Sequence, residues 1–173
     1  QTAKIEIVLW YSWAMFTSNA PDGYECPICL GVTRTESDKT LMRATDIVYS
    51  DELVTVFINS FFMGKNAGHV IVVPNEHYEN IFDLPEPVGH HIFDVAKKCS
   101  RAIKTVYSAD GITIRQNNEP AGDQHAFHYH LHVFPRYEND GFNNIAPEQK
   151  RLATPDERQT YAEKLKPVLA QKF

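Results

Sequence analysis

The sequence predicts an α+β domain built on a largely antiparallel sheet. Three observations carry this. Short strand-like runs follow one another with tight connections before the first long helix. A single clear helical stretch interrupts them at residues 85–107. Two more strand-like runs follow it, the second opening on strictly alternating histidines.

Residues 17–46 read as a loop-rich stretch punctuated by Pro21, Gly23, Pro27 and Gly31. "DIVYSDELVTVFIN" then reads as two strands around Ser50-Asp51-Glu52, and "FFMGKNAG" as a loop. "HVIVVP" is a short, nearly continuous apolar strand, as expected for burial on both faces. Over 85–107, Val88, Ile92, Val95, Cys99, Ile103 and Val106 recur at spacings of three and four, the stripe of an amphipathic helix. "GITIRQ" is the next strand, "NNEPAGD" a polar loop, and residues 126–134 the strand after it. Thr154-Pro155-Asp156-Glu157 combines an N-cap Thr, Pro at N1 and Glu at N3, so it starts a C-terminal helix expected to run to about Lys164, before Pro167. The expected organisation is an extension at 1–23, the domain at 24–140 and a C-terminal helical extension at 141–173.

Composition removes several function classes. The 173-residue chain is 43% hydrophobic and 23% charged, which suits one globular domain. Its formal net charge of −5, without a Lys/Arg run, gives no footprint for nucleic acid. The apolar run Ile5–Phe16 contains Glu6 and is shorter than the ~20 residues a membrane span needs. It also lacks the pattern of a signal peptide, so it is expected to pack on the domain or on a second subunit. Three cysteines are too few, and odd in number, for a secreted disulfide scaffold, which points to a reducing, cytoplasmic setting.

The chemistry concentrates in "HAFHYHLHVFPRY", residues 125–137. On a strand, His128, His130 and His132 share one face and Tyr129, Leu131 and Val133 take the other. Three buried imidazoles without partners would cost roughly 1–3 kcal/mol each, so the histidine face is wet, metal-bound or catalytic. Two readings stand: the row ligates a metal with a third ligand from elsewhere, or one histidine is a nucleophile whose neighbours set its tautomer. Cys26 and Cys29 form C-x-x-C, which serves either zinc or redox chemistry. Pro27 and the loop-like surroundings do not supply the strand-to-helix context of a thioredoxin-like site. Cys99 lies on the apolar stripe and reads as core. His90 and His91 read as surface residues, and Arg136 as a salt-bridge partner or a distal phosphate ligand.

"HYHLHVF" fits His-φ-His-φ-His-φ-φ, with φ apolar, and so resembles the histidine triad (HIT) family of nucleotide hydrolases and transferases. "NSFFMGKNAGHVIVVPNEH", "IFDL", "RQNNEPAGDQHAF" and "PRY" resemble its other motifs in the same order, over about residues 24–137. The likeness is to zinc-containing bacterial members and to diadenosine polyphosphate hydrolases. It implies a HIT-like fold, commonly a homodimer, with one long helix packed on the sheet. It implies that His130 attacks a nucleotide α-phosphate and forms a nucleotidyl-histidine intermediate, with His132 near the leaving group and His69 as a fourth active-site histidine. Asn59 matches a ribose contact, Asn117 and Gln124 match residues near the phosphates, and the His125 amide matches an anion contact. The resemblance further implies a structural zinc on Cys26, Cys29, His77 and His128, and no catalytic cofactor.

The expected activity is hydrolysis of a dinucleoside polyphosphate or a nucleoside phosphoramidate, adenine-containing, releasing a nucleoside monophosphate. One position departs from the pattern: Asp123 stands where the family has Gly before the phosphate-loop Gln, bringing a negative charge toward a phosphate. A HIT-fold nucleotide-binding module with little turnover is therefore the first rival. A metalloenzyme with a catalytic metal on the triad face is the second, and it lacks the spaced carboxylate such sites use.

Overall fold

The computed structural model describes residues 18–35, 37–144 and 149–171. The expectation for the apolar run Ile5–Phe16, and most of the 1–23 extension, fall outside these residues. In chain order the elements are α1 (Pro27–Val32), β1 (Ile47–Ser50), β2 (Val54–Ile58), β3 (Phe61–Met63), β4 (Val70–Pro74), α2 (Glu86–Tyr107), β5 (Gly111–Gln116), β6 (Leu131–Arg136), β7 (Lys150–Leu152) and α3 (Pro155–Leu169). Five strands form one sheet in the order β1-β2-β4-β6-β5, every pair antiparallel. β3 and β7 form a separate two-stranded ribbon. The α+β expectation is met.

β2 and β4 sit inside the sheet and are buried throughout, which is why they read as apolar runs rather than alternations. One sheet face receives the stripe of α2: Ile92, Val95, Ala96, Cys99, Ala102 and Ile103 pack there with Val54, Val56, Val70, Val72, Leu131 and Val133. Cys99 is a core residue, as its place on the stripe predicts. The other face is covered near β2 and β4 by α1 and its flanks, through Cys26, Ile28, Met42, Phe57, Ile71 and Val73.

Four local expectations need correction. Residues 27–32 form a helical turn inside the supposed loop, with Cys26 as N-cap accepting from the Cys29 amide. "FFMGKNAG" begins as strand β3, because residues 150–152 return to pair with it. The strand carrying the histidines starts at Leu131 rather than 126. Its ladder with β4 covers Leu131, His132 and Val133, and the β4 strand ends at Pro74, which has no N–H to offer further on. Finally, α3 runs through Pro167 to Leu169. Leu165 and Leu169 are buried in the main core and hold the last turns on the domain.

The capping box at Thr154 and Glu157 forms as the sequence predicts. Inside α3, Arg158 is 3% exposed and Asp46 fully buried, and Arg158 Nε donates to Asp46 Oδ1 at 3.0 Å. Its other nitrogens donate to the carbonyls of Ala153 and Leu41. The His91 side chain, read as a plain surface residue, bonds Asp51 Oδ2 at 2.7 Å and ties α2 to the β1–β2 turn.

Candidate active site and metal cluster

The histidine row keeps its alternation although only its end is ladder. Tyr129, Leu131 and Val133 are buried in the core under α2, and His128, His130 and His132 point to the opposite face. His128 is fully buried and His130 is 7% exposed. The Tyr129 N–H donates to the Tyr78 carbonyl at 2.6 Å, which fixes the chain between the first two histidines. Ring centroids are 5.1 Å apart for His130 and His132 and 5.5 Å for His132 and His69. Both His69 and His132 stack on Phe134. Gly68 places His69: its φ is +75°, and any Cβ there would collide with the Tyr161 ring.

Hydrogen bonds assign tautomers. His130 Nδ1 lies 2.7 Å from the His128 carbonyl oxygen, which can only accept, so Nδ1 carries the proton and Nε2 keeps its lone pair. His69 Nε2 lies 2.6 Å from Asn59 Nδ2, and Asn59 Oδ1 accepts from the Phe61 amide. The Nδ1 atoms of His69 and His132 are buried and have no hydrogen-bond partner among the described residues. Burial favours the neutral form of these rings: it lowers the His130 and His132 pKa values and takes His69 to about 3.

The phosphate-loop residues of the sequence reading come together beside this row. The Gln124 side chain is 3% exposed and spends its groups inside the protein: Nε2 donates to the carbonyls of Glu79 and Ala126, and Oε1 accepts from the Glu119 amide. It shapes the loop. Asn117 Nδ2 donates to the Gly122 carbonyl, and its Oδ1 accepts from Arg115 Nε at 3.0 Å. His125 is exposed. Asp123 adopts φ +65°, ψ 27°, the glycine-like conformation that its place in the pattern implies, and its exposed carboxylate lies 3.3 Å from Arg115. Glu119, which sequence reasoning passed over, has φ +59°, ψ 161°, a region used almost only by glycine. Arg136 is a salt-bridge partner, bidentate to Asp140, with a further bond to Thr113.

A second constellation forms where α1 meets the row. Ligand atoms of Cys26, Cys29, His77 and His128 all lie within 4.8 Å of one another. His128 Nδ1 is 3.4 Å from both thiols, and His77 Nδ1 is 3.3 Å from Cys29 Sγ. With Zn–S of ~2.3 Å and Zn–N of ~2.0–2.1 Å, a tetrahedral centre implies S···N edges of about 3.6 Å, so the four residues fit the ion. His128 Nε2 lies 3.0 Å from the Pro74 carbonyl, which fixes the tautomer that presents Nδ1 to the thiols. Burial, with Cys26 beside it, pushes the Cys29 thiol up to about 12, and a dication among the thiols would reverse that. Two sulfurs and two imidazoles fill a tetrahedron, the donor set of a structural site.

Comparison with known proteins agrees with this architecture. The sequence profile of the HIT domain matches residues 42–139. "Protein hit" of Bacillus subtilis (strain 168) is 34% identical over 99 residues, 57% of this chain and 67% of that protein. Adenylylsulfatase HINT3 of Arabidopsis thaliana is 32% identical over 93 residues, 54% of this chain and 46% of that protein. A zinc-bound histidine triad family protein from Mycobacterium smegmatis superposes with a TM-score of 0.67 at 26% identity, covering 84% of this chain and 94% of the other. The chain spans about two thirds of the length of the first of these relatives and less than half of the second. Among the described residues, no helix is long and apolar enough to cross a membrane.

Proposed function

The chain belongs to the HIT domain family, and from that premise we propose that it is a nucleotide hydrolase using His130 as nucleophile. The substrate is an adenine-containing dinucleoside polyphosphate or nucleoside phosphoramidate. The observation that carries the reading is the 2.7 Å bond from His130 Nδ1–H to the His128 carbonyl, which leaves a neutral, lone-pair-bearing Nε2 on a buried ring.

In the first step Nε2 forms a bond to the α-phosphorus as the bond to the leaving group breaks, giving a nucleotidyl-imidazole. In the second, water attacks phosphorus as the P–Nε2 bond breaks and its electron pair returns to Nε2, the water proton passes to a neighbouring base, and the nucleoside monophosphate departs. His132 stands beside the reacting phosphate, and its unpartnered Nδ1, with that of His69, suits contacts to the phosphate or the leaving group. Asn59 holds His69 and would contact the ribose. Asn117 and Gln124 shape the loop whose His125 amide would meet the anion, so much of the catalysis is positioning.

Cys26, Cys29, His77 and His128 would hold a structural zinc. The ion would supply cross-linking of the N-terminal loop to the row, and the chemistry at phosphorus belongs to the chain's own residues. The protein is expected to work as a homodimer. The decisive experiment compares wild type with His130→Ala on dinucleoside tri- and tetraphosphate, phosphoramidate and adenylyl sulfate. Loss of all turnover in the variant, with wild-type melting behaviour, supports the assignment, and full retained hydrolysis refutes it. A covalent nucleotide adduct on His130 that forms once and does not clear would favour the binding-module reading suggested by Asp123.

A further inference from the structure

The row of imidazoles has two unlike ends. The His128 end is closed by the thiols and by α1. The His132 end is flanked by cations that neither the triad pattern nor the metal cluster uses. On one side, Arg115 of β5 lies directly opposite His132 in the strand register, so the two side chains share a face. Its guanidinium is 46% exposed and, among the described residues, is held by Asn117 Oδ1 and by Asp123, itself 71% exposed. On the other side, His69 bonds Asn59, Asn59 takes the Phe61 amide, and Lys150 Nζ stands 5.4 Å over the Phe61 ring. Lys150 comes from β7, outside the 42–139 match, and is delivered by the pairing of Met63 with Lys150 in the β3–β7 ribbon. Both charges reach the row: after burial and the neighbouring imidazoles, Arg115 and Lys150 each add to holding His132 neutral, and Lys150 does the same at His69.

We propose that Arg115 and Lys150 form a two-cation subsite at the His132 end of the row. It takes the phosphates beyond the α-phosphate and makes polyphosphate anhydrides, rather than phosphoramidates, the preferred substrate class. The proposal rests on the nucleotide-hydrolase reading above and deepens it. An exposed Arg–Asp contact at 3.3 Å is weak, so a polyanion displaces Asp123 from Arg115 at little cost. Phosphate then takes the guanidinium in its forked geometry and the ammonium as a point charge. In a chain of net charge −5, these two side chains put local positive charge where the distal phosphates of a bound polyphosphate would lie. Asp123, which looks like a liability in the loop, becomes the resting partner of the cation the substrate uses.

The test uses the full chain with its metal. Tripolyphosphate binding is measured by calorimetry on wild type, Arg115→Gln, Lys150→Gln and Arg115→Lys. Each neutralisation is expected to weaken binding about tenfold, and Arg115→Lys to recover only part of the Arg115 loss, because the ammonium keeps the charge without the fork. In parallel, the ratio of kcat/KM for diadenosine tetraphosphate over adenosine phosphoramidate is expected to fall about tenfold for each neutralised cation, through KM rather than kcat. ATP as a third substrate shows whether the second nucleoside is needed or the phosphate chain alone suffices. Unaltered tripolyphosphate affinity in both neutralised variants, or an unaltered substrate ratio, overturns the subsite. If wild type turns over none of the substrates, the hydrolase reading fails, and the calorimetry alone then decides the subsite.

Discussion

The carbonyl oxygen of His128 lies 2.7 Å from Nδ1 of His130, so the residue whose ring faces the thiols also orients the ring proposed to attack phosphorus. The thiol–imidazole cluster and the proposed nucleophile therefore share one backbone segment. The link is doubled at His77–Tyr78, where the first residue joins the cluster and the carbonyl of the second clamps the Tyr129 amide.

Removing the ligand set should therefore affect both stability and geometry. Cys29→Ser is expected to abolish stoichiometric zinc and to lower stability by several kcal/mol, because structural zinc binding contributes directly to folding. Metal analysis and thermal melting with and without a chelator check this. Equal melting temperatures with and without the chelator would count against a structural ion.

Backbone strain in the phosphate loop predicts a gain. Glu119 at φ +59°, ψ 161° holds a conformation costing on the order of 1–3 kcal/mol for a residue with a Cβ. Glu119→Gly relieves it and keeps the amide that donates to Gln124. The melting temperature should rise by a few degrees. Asp123→Gly should give a smaller gain, since Asp tolerates φ +65° better than Glu tolerates its own position.

The Asp46–Arg158 pair predicts a large loss. Asp46→Asn leaves the guanidinium charged, buried and short of its anion, a change worth about 3–5 kcal/mol. Denaturant unfolding would show it. An Asp46→Asn/Arg158→Met double variant should be less destabilised than the sum of the single changes, because it leaves no unpaired charge.

Acid should weaken the fold through His69. Its folded pKa, about 3, lies below the unfolded value of about 6.5, because burial opposes the charged ring. The unfolded state therefore binds the proton first. Stability is full above about pH 6.5, falls as pH drops, and the His69 contribution is entirely lost only below about pH 3. His69→Asn should flatten this slope in urea titrations at stepped pH. An unaltered slope would assign it elsewhere.

Much of this was legible in the residues. Period-three-and-four spacing found α2 within a residue, and alternation assigned the faces of the histidine row. What escaped depends on distant partners. Phe61–Met63 has no strand signature apart from residues 150–152, and nothing local in "KRL" announces a pairing partner nearly ninety residues away. Pro167 looked like a stop because the buried Leu165 and Leu169 that hold α3 on the core are visible only once packed. Glu119 gave no cue, since a positive φ leaves a sequence trace only where glycine fills it. Arg115 and Lys150 were silent because their relation to His132 is a matter of register and of the ribbon.

The cluster of two thiols and two imidazoles also joins parts of the chain that are made far apart in time. Cys26 and Cys29 leave the ribosome together, but the imidazole that meets them belongs to a residue 102 positions beyond Cys26. Until His128 emerges, the two thiols have at most His77 for company and stay open to oxidants and to competing metals. Closing so long a loop also costs more chain entropy than any neighbouring strand pairing in the sheet. The clasp that braces the finished site therefore cannot close before His128 has been made, however early the two thiols are present.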